Sequence, residues 1–100
     1  MKLLDAARVI RSKNAGPTTL TLDLMFNDEA SFRRALAAPS LSAAAIAVRY
    51  GLEPSQVEVI TYPPAIAIKI VMDRKRVAGD PGDTDVYGAQ QHGPLLDIEI

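Results

Sequence analysis

The sequence predicts an α+β two-layer sandwich, ferredoxin-like or related, in which a mainly antiparallel sheet of about four strands carries two helices on one face. Three observations lead there. TLTLDLMF, residues 19–26, alternates apolar and polar positions without a break. Between residues 27 and 51 the apolar spacing changes to three and four, with cap residues at both ends. Two more strand-like runs, 57–62 and 65–72, are separated only by Pro63-Pro64.

The elements follow in chain order. Leu3, Ala7 and Ile10 repeat at i, i+4 and i+7, the spacing of a short helix with one buried stripe. Gly16 and Pro17 require that helix to end within residues 11–17. In the first strand Leu20, Leu22, Leu24 and Phe26 face the core, and Thr19, Thr21, Asp23 and Met25 face away. Asn27 is positioned to cap the next helix, which carries Asp28 and Glu29 first and Arg33 and Arg34 later, as the helix dipole favours. Phe32, Ala35 and Leu36 form its expected inner face, and Pro39 closes it. A second helix starts at Ser40 or Ser42, lines one side with Leu41, Ala45 and Val48, and stops at a left-handed Gly51.

VEVITY (57–62) and AIAIKIVM (65–72) are too close in sequence for anything but an antiparallel hairpin. Ile66, Ile68, Ile70 and Met72 share one face of the second run; Ala65, Ala67, Lys69 and Val71 share the other. A polar stretch, GDPGDTDVYGAQQHGP (79–94), precedes a last alternating run, LLDIEI (95–100), expected to form a strand.

One hundred residues make one domain, 1–100, and 48% apolar residues suffice for a core. With no Trp, that core is aliphatic. The absence of Cys excludes disulfides, thiolate nucleophiles and Cys-ligated metals. A net charge of −1, with no basic block beyond Arg74-Lys75-Arg76, argues against nucleic acid as the main partner. Asp5 and Arg8 interrupt the N-terminal apolar segment, and no run approaches the roughly 20 apolar residues of a membrane span. A cytoplasmic protein with no membrane partner is the expectation.

Three motifs carry chemistry worth weighing. Ala47, Gly51 and Val57 have helix-turn-helix spacing, but the recognition helix would fall on a β-branched segment with Glu58 and no cation. In RSKNAGP, Arg11 and Lys13 with Ser12, Asn14 and the backbone around Gly16 could hold a carboxylate or phosphate. The competing reading is that these cations merely complement a helix C-terminus. The 79–94 stretch offers Asp83, Asp85, Tyr87, Gln90, Gln91 and His92. An EF-hand alignment from Asp83 fails because Tyr87 and Pro94 stand at positions five and twelve, so no metal or other cofactor is assigned. His92 with Asp83 or Asp85 has acid–base chemistry, but no nucleophile at a matched spacing. The length of the stretch and its amide-rich tail suit recognition of a polar ligand or a partner backbone.

IRSKNAGP, LTLDLMF and PGDTDVYGAQQHGPLLDIEI together carry a resemblance over nearly the whole chain. The chain resembles the small domain-of-unknown-function family associated with the acyclic terpene utilisation protein AtuA, whose members occur alone or joined to an AtuA-like domain. The resemblance implies a small ferredoxin-like or related module linked to organic-acid or acyl-CoA catabolism, and brings no catalytic residue with it. Its emphasis falls on Arg11 to Gly16 and Asp83 to His92. The leading expectation is therefore an accessory subunit or ligand-binding module with an AtuA-like partner and a carboxylate or acyl-CoA ligand. The second is a stand-alone or homo-oligomeric lyase, hydratase or isomerase using His92 with Asp83 or Asp85. The third is an oligomerisation domain whose outer sheet face (Ala65, Ala67, Val71) is covered by another copy.

Overall fold

The structure, a computed structural model, describes residues 1–16, 18–73, 95 and 97–100. A single helical turn, α1 (Leu3–Ala6), leads directly into strand β1 (Ala7–Asn14). Strand β2 (Thr19–Phe26), helix α2 (Glu29–Leu36) and helix α3 (Ala43–Tyr50) follow. Strands β3 (Val57–Tyr62) and β4 (Ala67–Asp73) complete the described elements. The four strands form one antiparallel sheet in the order β1-β2-β4-β3, and α2 and α3 lie against β2 and β3. This is the predicted α+β two-layer sandwich.

Strands β2 and β3 are parallel to each other, joined through the two helices, with β4 inserted between them. That arrangement is the split β-α-β unit of ferredoxin-like folds. The fourth position, beside β2, is filled by a strand that precedes the unit in the chain. A second crossover helix would follow β4 and so fall in 74–94, outside the described residues.

Register explains which side chains meet. Leu22 stands opposite Ile70 and Ser12, while Leu20 faces Met72 and Leu24 faces Ile68. Leu22, Ile70 and the four aliphatic and thioether residues around them are buried, as are Phe26, Val57, Phe32, Ala35, Leu41, Ile46 and Ala47. Phe26 and Phe32 hold α2 to the sheet with ring centroids 6.0 Å apart and a tilted geometry.

Several expectations are corrected. The Leu3/Ala7/Ile10 spacing does not extend a helix: from Ala7 onward the chain is strand, paired with β2 from Ala7↔Phe26 to Asn14↔Leu20. Seven residue pairs between β1 and β2 outweigh what one extra turn of helix would contribute, while an irregularity between Ala7 and Val9 absorbs the change of direction. In the last run, the described residues, 95 and 97–100, do not form a strand. Leu95 and Ile98 are both fully buried, three residues apart, with the Ile98 N–H donating to the Leu95 carbonyl at 3.2 Å. Only Lys2↔Glu99 bridges there.

The α2 cap is Asp28, whose carboxylate accepts from Ser31 N–H at 2.7 Å. Asn27 instead reaches back, donating from its side chain to the Asp5 carbonyl at 3.0 Å. Leu36 is exposed rather than inward, and Val48 is 81% exposed; Ile46 and Ala47 are the buried residues of α3. Ser42 caps α3, and Gly51 ends it at φ 68°. Leu52 N–H then bonds back to the Ala47 carbonyl at 2.8 Å, a Schellman closure. Among the described residues no helix is long and apolar enough to cross a membrane.

Candidate functional site

Strand alternation divides the first predicted segment between two faces. Arg11 and Lys13 project from the outer face of the sheet, away from α2 and α3, whereas Ser12 and Asn14 share the core face with Leu22 and Leu20. Ser12 is only 6% exposed, and both Ser12 and Asn14 have polar partners. The four residues therefore do not converge as one anion-holding turn, and the cations do not complement a helix C-terminus, since α1 ends at Ala6. Gly16 lies past the strand in the turn closed by Ala15 N–H to the Thr19 carbonyl, 2.9 Å. Its φ of 136° is a conformation that glycine alone adopts at no cost, and a Cβ there would meet open space.

What the sheet brings together instead is a row across three strands. Arg11 stands opposite Asp23, and Asp23 opposite Lys69. The Arg11 guanidinium donates from Nε to Asp23 Oδ2 at 3.1 Å, with the two side chains 58% and 17% exposed. Asp23 is thus a partly sheltered carboxylate between two cations. Lys13 occupies the next row with Thr21, whose hydroxyl donates to the Lys13 carbonyl at 3.3 Å. Among the described residues neither Lys13 nor Lys69 makes an ion pair. Three cations around one carboxylate leave this part of the outer face positive.

The opposite end of the same face has other chemistry. Ser55, Gln56, Glu58, Val71 and Asp73 line an open groove of about 210 Å³. Gln56 Nε2 donates to Asp73 Oδ2 at 3.2 Å, so one of its two carboxylates is already engaged. On the helix side, burial pushes the Tyr50 phenol up, against a smaller opposing effect of Arg49, so Tyr50 stays neutral and serves packing. Among the described residues no three His, Cys, Asp or Glu side chains gather where they could hold a metal ion. Asp83, Asp85, Tyr87, Gln90, Gln91 and His92 lie outside the described residues.

Asp23, Thr21 and Lys69 are the outer-face residues that sequence reasoning did not put in the site. The alternation of β2 and β4 had already placed each of them on the polar face. Only the pairing register, which a single sequence does not display, puts Asp23 between Arg11 and Lys69.

A family model described as "Domain of unknown function (DUF4387)" matches residues 3–99. The chain belongs to this family. No curated protein and no solved structure gives a significant match. The DUF4387 match takes in the whole Arg11–Asp23–Lys69 row and also the 83–92 segment.

Proposed function

We propose that this DUF4387 domain is a small accessory subunit or ligand-binding module that grips an anionic group on the outer face of β1, β2 and β4. It acts with an AtuA-like partner in organic-acid or acyl-CoA catabolism. The observation that supports the reading is the cationic row itself. Arg11 and Lys69 flank Asp23 on adjacent strands, with Lys13 alongside. Strands lie about 4.8 Å apart, so Arg11 and Lys69 are separated by roughly 10 Å, within joint reach of one carboxylate or phosphate by two long, flexible side chains. Arg11 offers a planar fork of donors, of which Asp23 takes one; the lysines add point charges. Asp83, Asp85, Tyr87, Gln90, Gln91 and His92 are assigned in this proposal to the opposing wall or to the partner contact.

The test has two arms. Calorimetric titration with inorganic phosphate, a dicarboxylate and coenzyme A should show binding that weakens in Arg11→Ala and Lys69→Ala. Co-purification from the native host should recover an AtuA-like protein, and His92→Ala should reduce that recovery. If Arg11→Ala and His92→Ala leave ligand binding, partner binding and pathway activity unchanged, the proposal fails. Catalytic turnover by the purified chain, lost in His92→Ala while anion binding persists, would replace it with the acid–base reading.

A further inference from the structure

The sheet has two edges, and they are built differently. Edge strand β1 carries three exposed cations, Arg8, Arg11 and Lys13, and an irregularity at Ala7/Val9. Charge and irregular register are the usual protections against unwanted pairing. Edge strand β3 has no irregularity and a single charge, Glu58, near its start. After Glu58 it continues Val59-Ile60-Thr61-Tyr62 with no charge, regular register throughout, Ile60 41% and Tyr62 60% exposed.

Two backbone hydrogen bonds fix which backbone groups of β3 face outward. Phe26 N–H donates to the Ile66 carbonyl at 3.0 Å, so the even-numbered residues of β4 direct their backbone groups to β2. The Ala15–Thr19 bond sets the same phase from the other side of β2. The odd residues Ala67, Lys69 and Val71 therefore serve β3, where they meet Tyr62, Ile60 and Glu58. Val59 and Thr61 are left with N–H and C=O groups aimed at the free edge, whereas the Val57 N–H is taken by the Pro54 carbonyl; among the described residues no strand pairs with this edge.

We infer that β3 is a homodimer interface, pairing antiparallel with β3 of a second copy about a two-fold axis at Ile60. Only a strand satisfies a row of alternating donors and acceptors, and the second copy is chosen because the sequence of β3 is complementary to itself. With Ile60 on the axis, Val59 meets the partner's Thr61 in the hydrogen-bonded positions. On the outer face Ile60 packs on its own counterpart, and each Glu58 stands opposite a Tyr62 phenol that can donate to it, not opposite another carboxylate. Pairing β3 with β1 of another copy would instead be head-to-tail and would not close. The two-fold contact closes after two copies and extends the sheet to twice its width, with the cationic row of each copy toward the outer ends.

Analytical ultracentrifugation and light scattering of the full chain test this, with hydrogen exchange as an independent readout. The wild type should sediment as a dimer, with Val59 and Thr61 amides becoming slower to exchange as protein concentration rises. Thr61→Pro removes an edge-facing N–H and no ladder bond; Ile60→Lys sets two like charges together on the axis. Each should weaken association by about tenfold or more, with an unchanged far-UV spectrum. If Thr61→Pro does not fold, Ile60→Lys and the wild-type amide exchange still decide. A wild type that is monomeric at about 100 μM, a dimer indifferent to both substitutions, or open-ended filaments would each overturn the inference.

Discussion

Ile70→Ala, compared with Lys69→Ala, is the sharpest test of the register that builds the proposed site. Ile70 is fully buried at the centre of the sheet, between Leu22 on β2 and Val59 on β3. Truncation removes three carbons, worth about 2.4 kcal/mol at about 0.8 kcal/mol per buried methylene. A residual cavity of about 50 Å³ adds about 1.2 kcal/mol, giving a loss of about 3–4 kcal/mol. For a chain of this size that is a drop of roughly 12–30 °C in Tm. Lys69 is one residue away but on the exposed outer face, and its truncation should change stability by no more than about 0.5 kcal/mol. Urea denaturation followed by circular dichroism measures both, and the m-value checks that the unfolded reference is unchanged. A one-residue slip would exchange the two results, because it turns every side chain of the strand over. If Lys69→Ala proves the costly substitution, then Lys69 does not stand beside Asp23 and the cationic row dissolves.

The remaining expectations concern caps and charges. Asp28 is held below its ordinary value of 3.8, chiefly by the Ser31 backbone N–H. A depressed folded pKa means that its stabilising contribution is present above 3.8 and is lost as pH falls through the folded value; Asp28→Asn should keep the cap and flatten that part of an acid titration monitored by circular dichroism. Gly51→Ala, at φ 68°, should cost about 1 kcal/mol in chemical denaturation through left-handed strain. Arg11→Ala should alter stability by less than about 1 kcal/mol, since its ion pair with Asp23 is largely open to water. The same substitution should weaken anion binding, and the wild-type affinity should fall as ionic strength rises from low salt.

Much of the layer architecture was legible because β2 and β4 are central strands. Both bury a full row of aliphatic side chains, so TLTLDLMF and AIAIKIVM show period two plainly. Strand β1 was not legible for the converse reason. It is an edge strand whose core-facing row runs Ile10, Ser12, Asn14, so apolar alternation stops after one residue. What remained visible was Leu3, Ala7 and Ile10, and a helical spacing of three residues was read where a turn and a bulged strand share them. The better signal was the polar alternation of Arg11 and Lys13 next to β-branched Val9-Ile10. The run LLDIEI misled in the opposite sense. Its period-two pattern is genuine, but the buried residues Leu95 and Ile98 lie three apart, linked by the Ile98 N–H to Leu95 carbonyl bond, and Leu3 N–H bonds to the Ile98 carbonyl at 2.9 Å.

The same contrast bears on function. A central strand must spend one face on the core, so whatever chemistry it offers is confined to alternate positions on the other. Asp23 and Lys69 are such positions, and neither stands out in a sequence. Edge strands keep a second resource, the outward backbone, and the two edges of this sheet use it differently: β1 surrounds it with cations, and β3 leaves it bare. A ligand drawn by charge and a partner drawn by unpaired amides would then occupy opposite ends of one sheet without competing. Salt separates them experimentally. Raising ionic strength should weaken anion binding at the Arg11–Asp23–Lys69 row, because exposed charges more than about 8 Å apart are screened at physiological salt. Dimerisation through β3 rests on backbone pairing and on Ile60, and should hold or strengthen under the same change. If salt dissociated the dimer, its interface would be the charged edge, and the assignment of the two edges would have to be reversed.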